Sequence, residues 1–332
     1  MKIAFVGKGG SGKTTLSSLF VRYLVARQLP VLAIDADINQ HLAAALGAHE
    51  EEALTLPTLS AHLPLIKDYL RGTNPRISSP EDMIKTTPPG TGSRLLGVVE
   101  DNPIYAACVR EIEGARLAVT GPFTEDDLGV ACYHSKVGAA ELVLNHLVDG
   151  PGEYVVVDMT AGADSFASGL FTRFDLTALV CEPTLRSVGV YRQYLGHARD
   201  FGIRVAVIGN KIGDEDDLDF LREHVGDDLL CWVGRSQHVR AAERGEIRPV
   251  SRLEPDNLTA LVALHAALDA AERDWSAYQR QAEDFHLRNV HAWAGSRTEV
   301  DLTAQIDPDF VLEPQRPSSD TAKVGAGNRS DA

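Results

Sequence analysis

The sequence predicts an α/β fold with a mostly parallel central sheet and helices on both faces. Three observations predict it. Short apolar runs recur at residues 2–6, 31–34, 117–122, 154–158, 177–181, 205–209 and 229–233. Longer stretches with helical spacing separate them, the β–α alternation of a parallel sheet. The first run leads directly into a glycine-rich turn, after which Leu16, Leu19, Phe20, Tyr23 and Leu24 recur at helical spacing.

The totals bound the answer. A chain of 332 residues can bury one large core or two small ones. Its net charge of −15 argues against wrapping nucleic acid or lying on an anionic membrane. No apolar stretch approaches the ~20 residues of a membrane span, and the chain starts on a strand rather than a signal peptide. Cys108, Cys132, Cys181 and Cys231 lie far apart without repeating spacing, which suggests buried or ligand thiols rather than a disulfide framework. A cytoplasmic protein is expected, with neither nucleic acid nor membrane as partner.

The turn reads Gly7, Lys8, Gly9, Gly10, Ser11, Gly12, Lys13, Thr14, Thr15. Between a strand and a helix this is the setting of a phosphate-binding loop. The glycines let backbone N–H groups wrap inward, and the helix N-terminus adds partial positive charge. Lys13 would reach the β- and γ-phosphates, and the Thr14 hydroxyl would ligate Mg2+.

Lys8 at the second position of the motif resembles the deviant P-loop of the MinD/ParA/nitrogenase-iron-protein group. The resemblance implies a dimeric P-loop NTPase of SIMIBI type that binds ATP and Mg2+, with Lys8 reaching the partner's nucleotide across a homodimer interface. A second cation at the phosphates would stabilise transition-state charge; a merely solvated lysine is the alternative.

The run at 31–34 leads into Asp35, Ala36, Asp37, Ile38 and Asn39. Acids past a strand's C-terminal end sit where open α/β sheets bind ligands. By the resemblance Asp35 would support Mg2+ through water and Asp37 would orient the attacking water. Capping of the next helix is the other reading. The pattern continuing to Leu42 looks more like the CooC-type carbon monoxide dehydrogenase maturation ATPases than like MinD. Residues 48–95, punctuated by Pro57, Pro64, Pro75, Pro80 and the turn cluster 88–92, read as an insertion at the nucleotide end of the sheet, either a lid or a partner surface.

Cys132, Tyr133 and His134 precede a helix with Ala139, Leu142, Val143 and Leu147 on one face. The maturation ATPases resemble this stretch but carry Cys-x-Cys, each subunit giving two thiolates to an interface metal. Here a symmetric pair would give two thiolates and two imidazoles, a set suited to tetrahedral Zn2+ and acceptable to Ni2+. A buried Cys132 with His134 capping the helix is the other reading, and both stay open. Bridging-cluster electron transfer of the nitrogenase-iron-protein kind is disfavoured, since it would need two cysteines per subunit.

The run at 154–158 is continuously apolar and ends in Asp158, which fits an acid holding the Mg2+ shell. Gly162 follows in a stretch resembling the family's second switch, where its N–H would approach the γ-phosphate. Asn210 and Lys211 end a later strand; the resemblance puts Asn210 on the adenine edge and the Lys211 stem beside the base, a plain turn being the alternative. Cys181 and Cys231 lie inside strands and read as core. Asp256 and Asn257 mark the cap of an amphipathic helix running to about Gln281. The domain reading is an ATPase domain over 1–282 and a C-terminal extension over 283–332, with 314–332 a disordered tail. The resemblance implies an ATP-driven dimeric switch of maturation type with a client protein or metalloenzyme; a MinD/ParA-like positional or regulatory ATPase acting through a partner without metal is the alternative.

Overall fold

The computed structural model describes residues 1–37, 39–122, 133–160, 166 and 169–313, with only the backbone at 133–135. Cys132, Gly162 and the tail from 314 lie outside the described residues, as does the side chain of His134.

Eight strands form one sheet: β1 (Lys2–Gly7), β2 (Val31–Ala36), β3 (Val109–Ile112), β4 (Ala115–Val119), β5 (Tyr154–Met159), β6 (Leu176–Cys181), β7 (Val205–Ile212) and β8 (Leu229–Gly234). Their order is β3-β4-β2-β5-β1-β6-β7-β8. All neighbours are parallel except β3 and β4. β3 is a correction to the sequence reading, which expected nothing between residue 95 and the strand at 117. It is an edge strand turned back on β4 through Glu113 and Gly114, both at positive φ (49° and 80°), and an edge strand needs only one apolar face.

Among the described residues eleven α-helices accompany the sheet: α1 (Lys13–Ala26), α2 (Leu42–Leu46), α3 (Glu50–Leu54), α4 (Leu63–Arg71), α5 (Pro103–Cys108), α6 (Tyr133–His146), α7 (Leu185–Ala198), α8 (Glu215–Val225), α9 (Gln237–Ala242), α10 (Pro255–Asp269) and α11 (Trp275–Asn289). Both sheet faces are covered, and successive strand residues feed opposite cores. Ile3, Phe5, Val31, Ala33, Tyr154 and Val156 join α1 and α10 through Leu19, Phe20, Leu24, Leu261 and Leu264. Ala4, Val6, Leu32, Ile34, Val155 and Val157 join α4, α6, α7 and α8. Burial on both faces is why these strands read as unbroken apolar runs.

Residues 48–95 do not stand off as a lid. Ile66, Leu70, Ile77 and Met83 are fully buried in the core they share with α6. The Leu59 and Ser60 N–H groups donate to Val119 and Thr120 at the end of β4. At the far end of the segment Leu96 exchanges backbone hydrogen bonds with His146 and Val148, both 2.8 Å. The chain beyond Gly295 also returns to the body. Gln305, 1% exposed, accepts from the Thr87 hydroxyl and donates to the Asp82 carbonyl, and Asp307 accepts from the Thr91 N–H at 2.9 Å.

The single closing helix expected from 256 to about 281 is two helices, and the cap lies elsewhere. Glu254 precedes α10, while Asn257 sits in its first turn and accepts from the Gly234 N–H at 2.8 Å, tying α10 to the end of β8. The break falls at 270–274, where Arg273 turns inward. Its guanidinium bonds Asp149 at 2.9 Å and Asp175 at 2.6 Å, and the Lys2 ammonium donates to the Tyr278 hydroxyl at 2.7 Å. Burial alone would raise the Asp149 pKa, but the charges of Lys2 and Arg273 hold it below the usual carboxylate range.

Removing one partner from a buried ion cluster leaves the others uncompensated, at about 3–5 kcal/mol. Asp149→Asn should lower stability by that amount at pH 7 in denaturant titrations. A carboxylate whose folded pKa is depressed contributes above its unfolded pKa and loses the contribution as pH falls through the folded one. The deficit should therefore shrink below pH ~4; a deficit unchanged between pH 7 and pH 3 would mean that packing, not charge, was lost.

Candidate nucleotide site

β1 runs in the middle of the sheet between β5 and β6, and the chain leaves its C-terminal end into the loop at 7–12. Gly7 has φ +144°, and a Cβ there would stand 2.6 Å from the Val180 carbonyl oxygen. Gly12 has φ +98°, and a Cβ there would stand 2.2 Å from the Asn210 amide nitrogen. Only glycine fits both, since left-handed backbone and close approach occur together. Gly12 precedes α1 without a side-chain cap, so the first N–H groups of the helix, at Lys13, Thr14 and Thr15, stay available to an anion.

Beneath the loop two carboxylates face each other. Asp35 and Asp158 are register partners on β2 and β5, exposed 0% and 1%. Their surroundings differ. Asp35 accepts from the Asp37 N–H at 3.0 Å and from the Leu42 N–H, the first of α2, at 2.9 Å. The helix-capping alternative for Asp35 is therefore present as geometry. Neither Asp158 oxygen has a hydrogen-bond partner among the described residues, although the Thr14 and Ser17 hydroxyls and the Lys13 ammonium stand beside it. Burial pushes both pKa values up; the charge of Asp158 raises Asp35 further, the charge of Asp37 raises both, and the Thr14 hydroxyl, the Lys13 charge and the Ser17 hydroxyl work against the rise at Asp158. Such a pair calls for a cation, and an unpartnered buried carboxylate beside a loop threonine fits the donor set of a hydrated Mg2+.

Lys13 is buried, and its ammonium lies 3.4 Å from the Lys8 carbonyl. Burial lowers its pKa against the raising effect of Asp158 and Asp37. Lys8 points the other way. Its Nζ lies 3.0 Å from Glu182, and the Lys211 Nζ lies 2.7 Å from the other oxygen of the same carboxylate and 2.7 Å from the Gly10 carbonyl. Burial would raise the Glu182 pKa, but the two lysines bring it down. Asp37 is half-buried, and its Oδ1 accepts from the Asn39 backbone and side chain at 3.0 and 2.8 Å.

Asn210 donates its amide to the Ser11 carbonyl at 2.7 Å and accepts from the Lys211 N–H at 2.9 Å, so it braces the loop from the neighbouring strand end. Lys211 takes φ 62°, in the left-handed region that non-glycine residues seldom occupy. Both line a cavity of about 400 Å3 with Gly12, Thr15, Gly234 and Arg235. The structure thus gathers Gly7, Lys8, Gly9, Gly10, Ser11, Gly12, Lys13, Thr14, Thr15, Asp35, Asp37, Asp158, Asn210 and Lys211 around one end of the sheet. Cys108, Cys181 and Cys231 are free and buried. Sequence reasoning missed Glu182 and the start of α9. The signal for Glu182 was available, because it directly follows the C-terminal end of β6, next to β1.

Residues 3–250 match the CobQ/CobB/MinD/ParA nucleotide binding domain. The carbon monoxide dehydrogenase accessory protein CooC of Rhodospirillum rubrum is 34% identical over 74% of this chain and 87% of its own. Among solved structures, a ParA family ATPase from Chlorobium tepidum superposes with TM-score 0.53 over 80% of this chain and 98% of that one at 17% identity. The cell division ATPase MinD of Pyrococcus furiosus gives TM-score 0.52 over 80% and 96% at 16% identity, a likeness of fold. With the loop, the strand-end acids and the eight-stranded sheet in place, the chain belongs to the CobQ/CobB/MinD/ParA family of nucleotide-binding proteins and is an ATPase.

Proposed function

We propose that this ATPase is a dimeric switch that assists assembly of a metal centre in a client enzyme. The observation that carries the maturation role is the likeness to the carbon monoxide dehydrogenase accessory protein, which extends over most of both chains. The switch itself is supported by the geometry around the loop. The loop N–H groups and Lys13 hold the β- and γ-phosphates, while Asn210 and Lys211 border the cavity that takes the base. Thr14 and Asp158, with Asp35 behind, hold Mg2+, which when bound offsets the charge of the phosphates and of the acid pair. Asp37 orients water at the γ-phosphate, and Gly162 belongs to a second segment that responds to it.

Lys8 is the residue that makes two subunits one machine. Its ammonium is not spent on its own loop but rests on Glu182 at the rim, about a third exposed. A lysine so placed can turn to a second nucleotide in a facing copy, where added cationic charge stabilises the transition state. ATP closes the dimer, and hydrolysis reopens it. For that cycle to move a cargo ion, closed and open forms must hold it with different contacts. Cys132, outside the described residues, and His134, in the first turn of α6, are the residues proposed to offer it ligands, with Zn2+ or Ni2+ as the cargo their donor set suits. Among the described residues no cluster of three or more His, Cys, Asp or Glu side chains is placed to hold a metal.

Lys13→Ala should abolish tight ATP binding in calorimetry, whereas Lys8→Ala should keep binding within a few-fold and lose at least ~90% of turnover, an effect of about 1.4 kcal/mol or more. Normal hydrolysis by the Lys8 variant would remove its role across the interface. Asp37→Asn should bind ATP yet accumulate as the ATP-bound dimer in size-exclusion chromatography; wild-type turnover would put water positioning elsewhere. Metal analysis of the ATP-bound protein should find about one ion per dimer, lost in Cys132→Ser and in His134→Ala. Metal-free wild type would end the metal-cargo reading and leave a positional or regulatory ATPase working through a protein partner.

A further inference from the structure

Behind the wall of the nucleotide cavity lies a second cavity of about 420 Å3, set between α1, the start of α2 and α9. Thr15, Leu19, Val239 and Glu243 line both, so α9 and the first turns of α1 form a shared partition. Thr14, at the edge nearest the loop, also lines it, and the far side carries Ser18, Arg22, His41, Ala45 and His238. We propose that this second cavity is an effector site for a small organic monocarboxylate that has an apolar body and a hydroxyl or amine donor.

His238 is the main reason. It is 2% exposed, and neither ring nitrogen has a hydrogen-bond partner among the described residues. Burial, and then the nearby Arg22 charge, lower its pKa, so at pH 7 the ring is neutral and holds one N–H and one lone pair. Leaving each unsatisfied costs stability. The residue is not loosely placed. Ser236 caps α9 through the Val239 N–H at 3.0 Å, and Glu254 accepts from the Ser236 hydroxyl at 2.7 Å and the Gln237 N–H at 2.8 Å. This frame holds the imidazole where it has no protein partner, as a ligand site does.

The remaining groups define the ligand. Arg22 keeps donors beyond the one given to the Arg248 carbonyl, and a planar guanidinium suits a carboxylate. Glu243 is the one carboxylate on the wall, so a dianionic phosphate would be poorly compensated while a monoanion is matched by Arg22. The His238 lone pair asks for a donor on the ligand. Leu19, Ala44, Ala45 and Ala242 leave room for an apolar body, and the volume is that of a small-molecule site.

Occupancy would be felt at the nucleotide. α2 begins at Leu42, whose N–H is held by Asp35, the register partner of Asp158. α9 meanwhile borders the base cavity. A ligand wedged between α2 and α9 therefore touches both ends of the nucleotide site through packed elements, and the coupling must be reciprocal. This inference does not depend on the metal-maturation role.

The test uses the full chain saturated with ADP and 3-phenyllactate as the probe, with inorganic phosphate as control. The His238 ring nitrogens, observed by 15N NMR, should shift on adding phenyllactate at up to ~10 mM, and ADP should not displace it. His238→Phe and Arg22→Gln should each weaken phenyllactate by about tenfold or more with ADP affinity unchanged, and phenyllactate should alter ATP affinity severalfold in wild type alone. A His238 signal that ignores the probe, binding that survives both substitutions, competitive displacement by ADP, or equal response to phosphate would each overturn the proposal; the first would mean that water alone fills the cavity.

Discussion

Two carboxylates side by side at the floor of a phosphate site are the constraint around which this molecule is arranged. Asp35 and Asp158 sit at one level on adjacent parallel strands, excluded from water. Like charges so close, in a poorly hydrated place, cannot both be ionised without a cation. The chain answers in two ways. Asp35 is given two backbone N–H groups, one of which starts α2. Asp158 is given no such donor and faces Thr14, Ser17 and Lys13 at the start of α1 above. The asymmetry divides the labour: one acid is structural, fastening the segment that carries Asp37, and the other is left short of a partner.

The loop above is held as firmly as the floor. Strand β6 forbids any side chain at Gly7, and the Asn210 amide forbids one at Gly12. Lys211 and Lys8 share the Glu182 carboxylate, so three strand ends, those of β1, β6 and β7, meet at one ionic contact on the rim. Partly exposed, this contact contributes little to stability, on the order of 1 kcal/mol or less. Its consequence is geometric. It parks the Lys8 ammonium at the mouth of the loop and links it to Lys211, which lines the cavity of about 400 Å3, so a group entering that cavity would disturb the position of Lys8.

Much of this was legible in the sequence because the residues concerned are forced by local chemistry. Parallel strands buried on both faces must be apolar throughout, which is why the runs at 2–6, 31–34 and 154–158 identify themselves. A loop requiring positive φ at Gly7, Gly10 and Gly12 must spell itself in glycine. What was not legible depends on partners distant in the chain. Residues 48–95 read as an insertion, either a lid or a partner surface, because prolines and turn residues hid Ile66, Leu70, Ile77 and Met83, whose neighbours lie on α6. The break between α10 and α11 follows from Arg273 being drawn to Asp149 and Asp175, about a hundred residues or more away. Glu182 had a signal in its place just past the end of β6, but its role, holding two lysines from either side of it in sequence, appears only in the fold. His238 is invisible for the opposite reason, since what distinguishes it is the lack of a partner.

The two ends of the sheet are built on different principles. At the end remote from the loop, Lys2, Asp149, Asp175, Arg273 and Tyr278 form a closed set in which each charge has an opposite neighbour at short distance. At the loop end, Asp158 lacks a partner, Lys13 is buried among main-chain groups, and the N–H groups starting α1 face outward uncapped. Unsatisfied groups cost stability, and closed sets lend it when intact. Asp158 and the uncapped start of α1 leave polar demand unmet where nucleotide arrives, so that binding can supply what folding left out there. Binding energy obtained in this way is available only in the occupied state, and a difference between occupied and empty states is what a switch requires. A nucleotide pocket fully satisfied on its own would bind, but it would have little left with which to drive a change of shape.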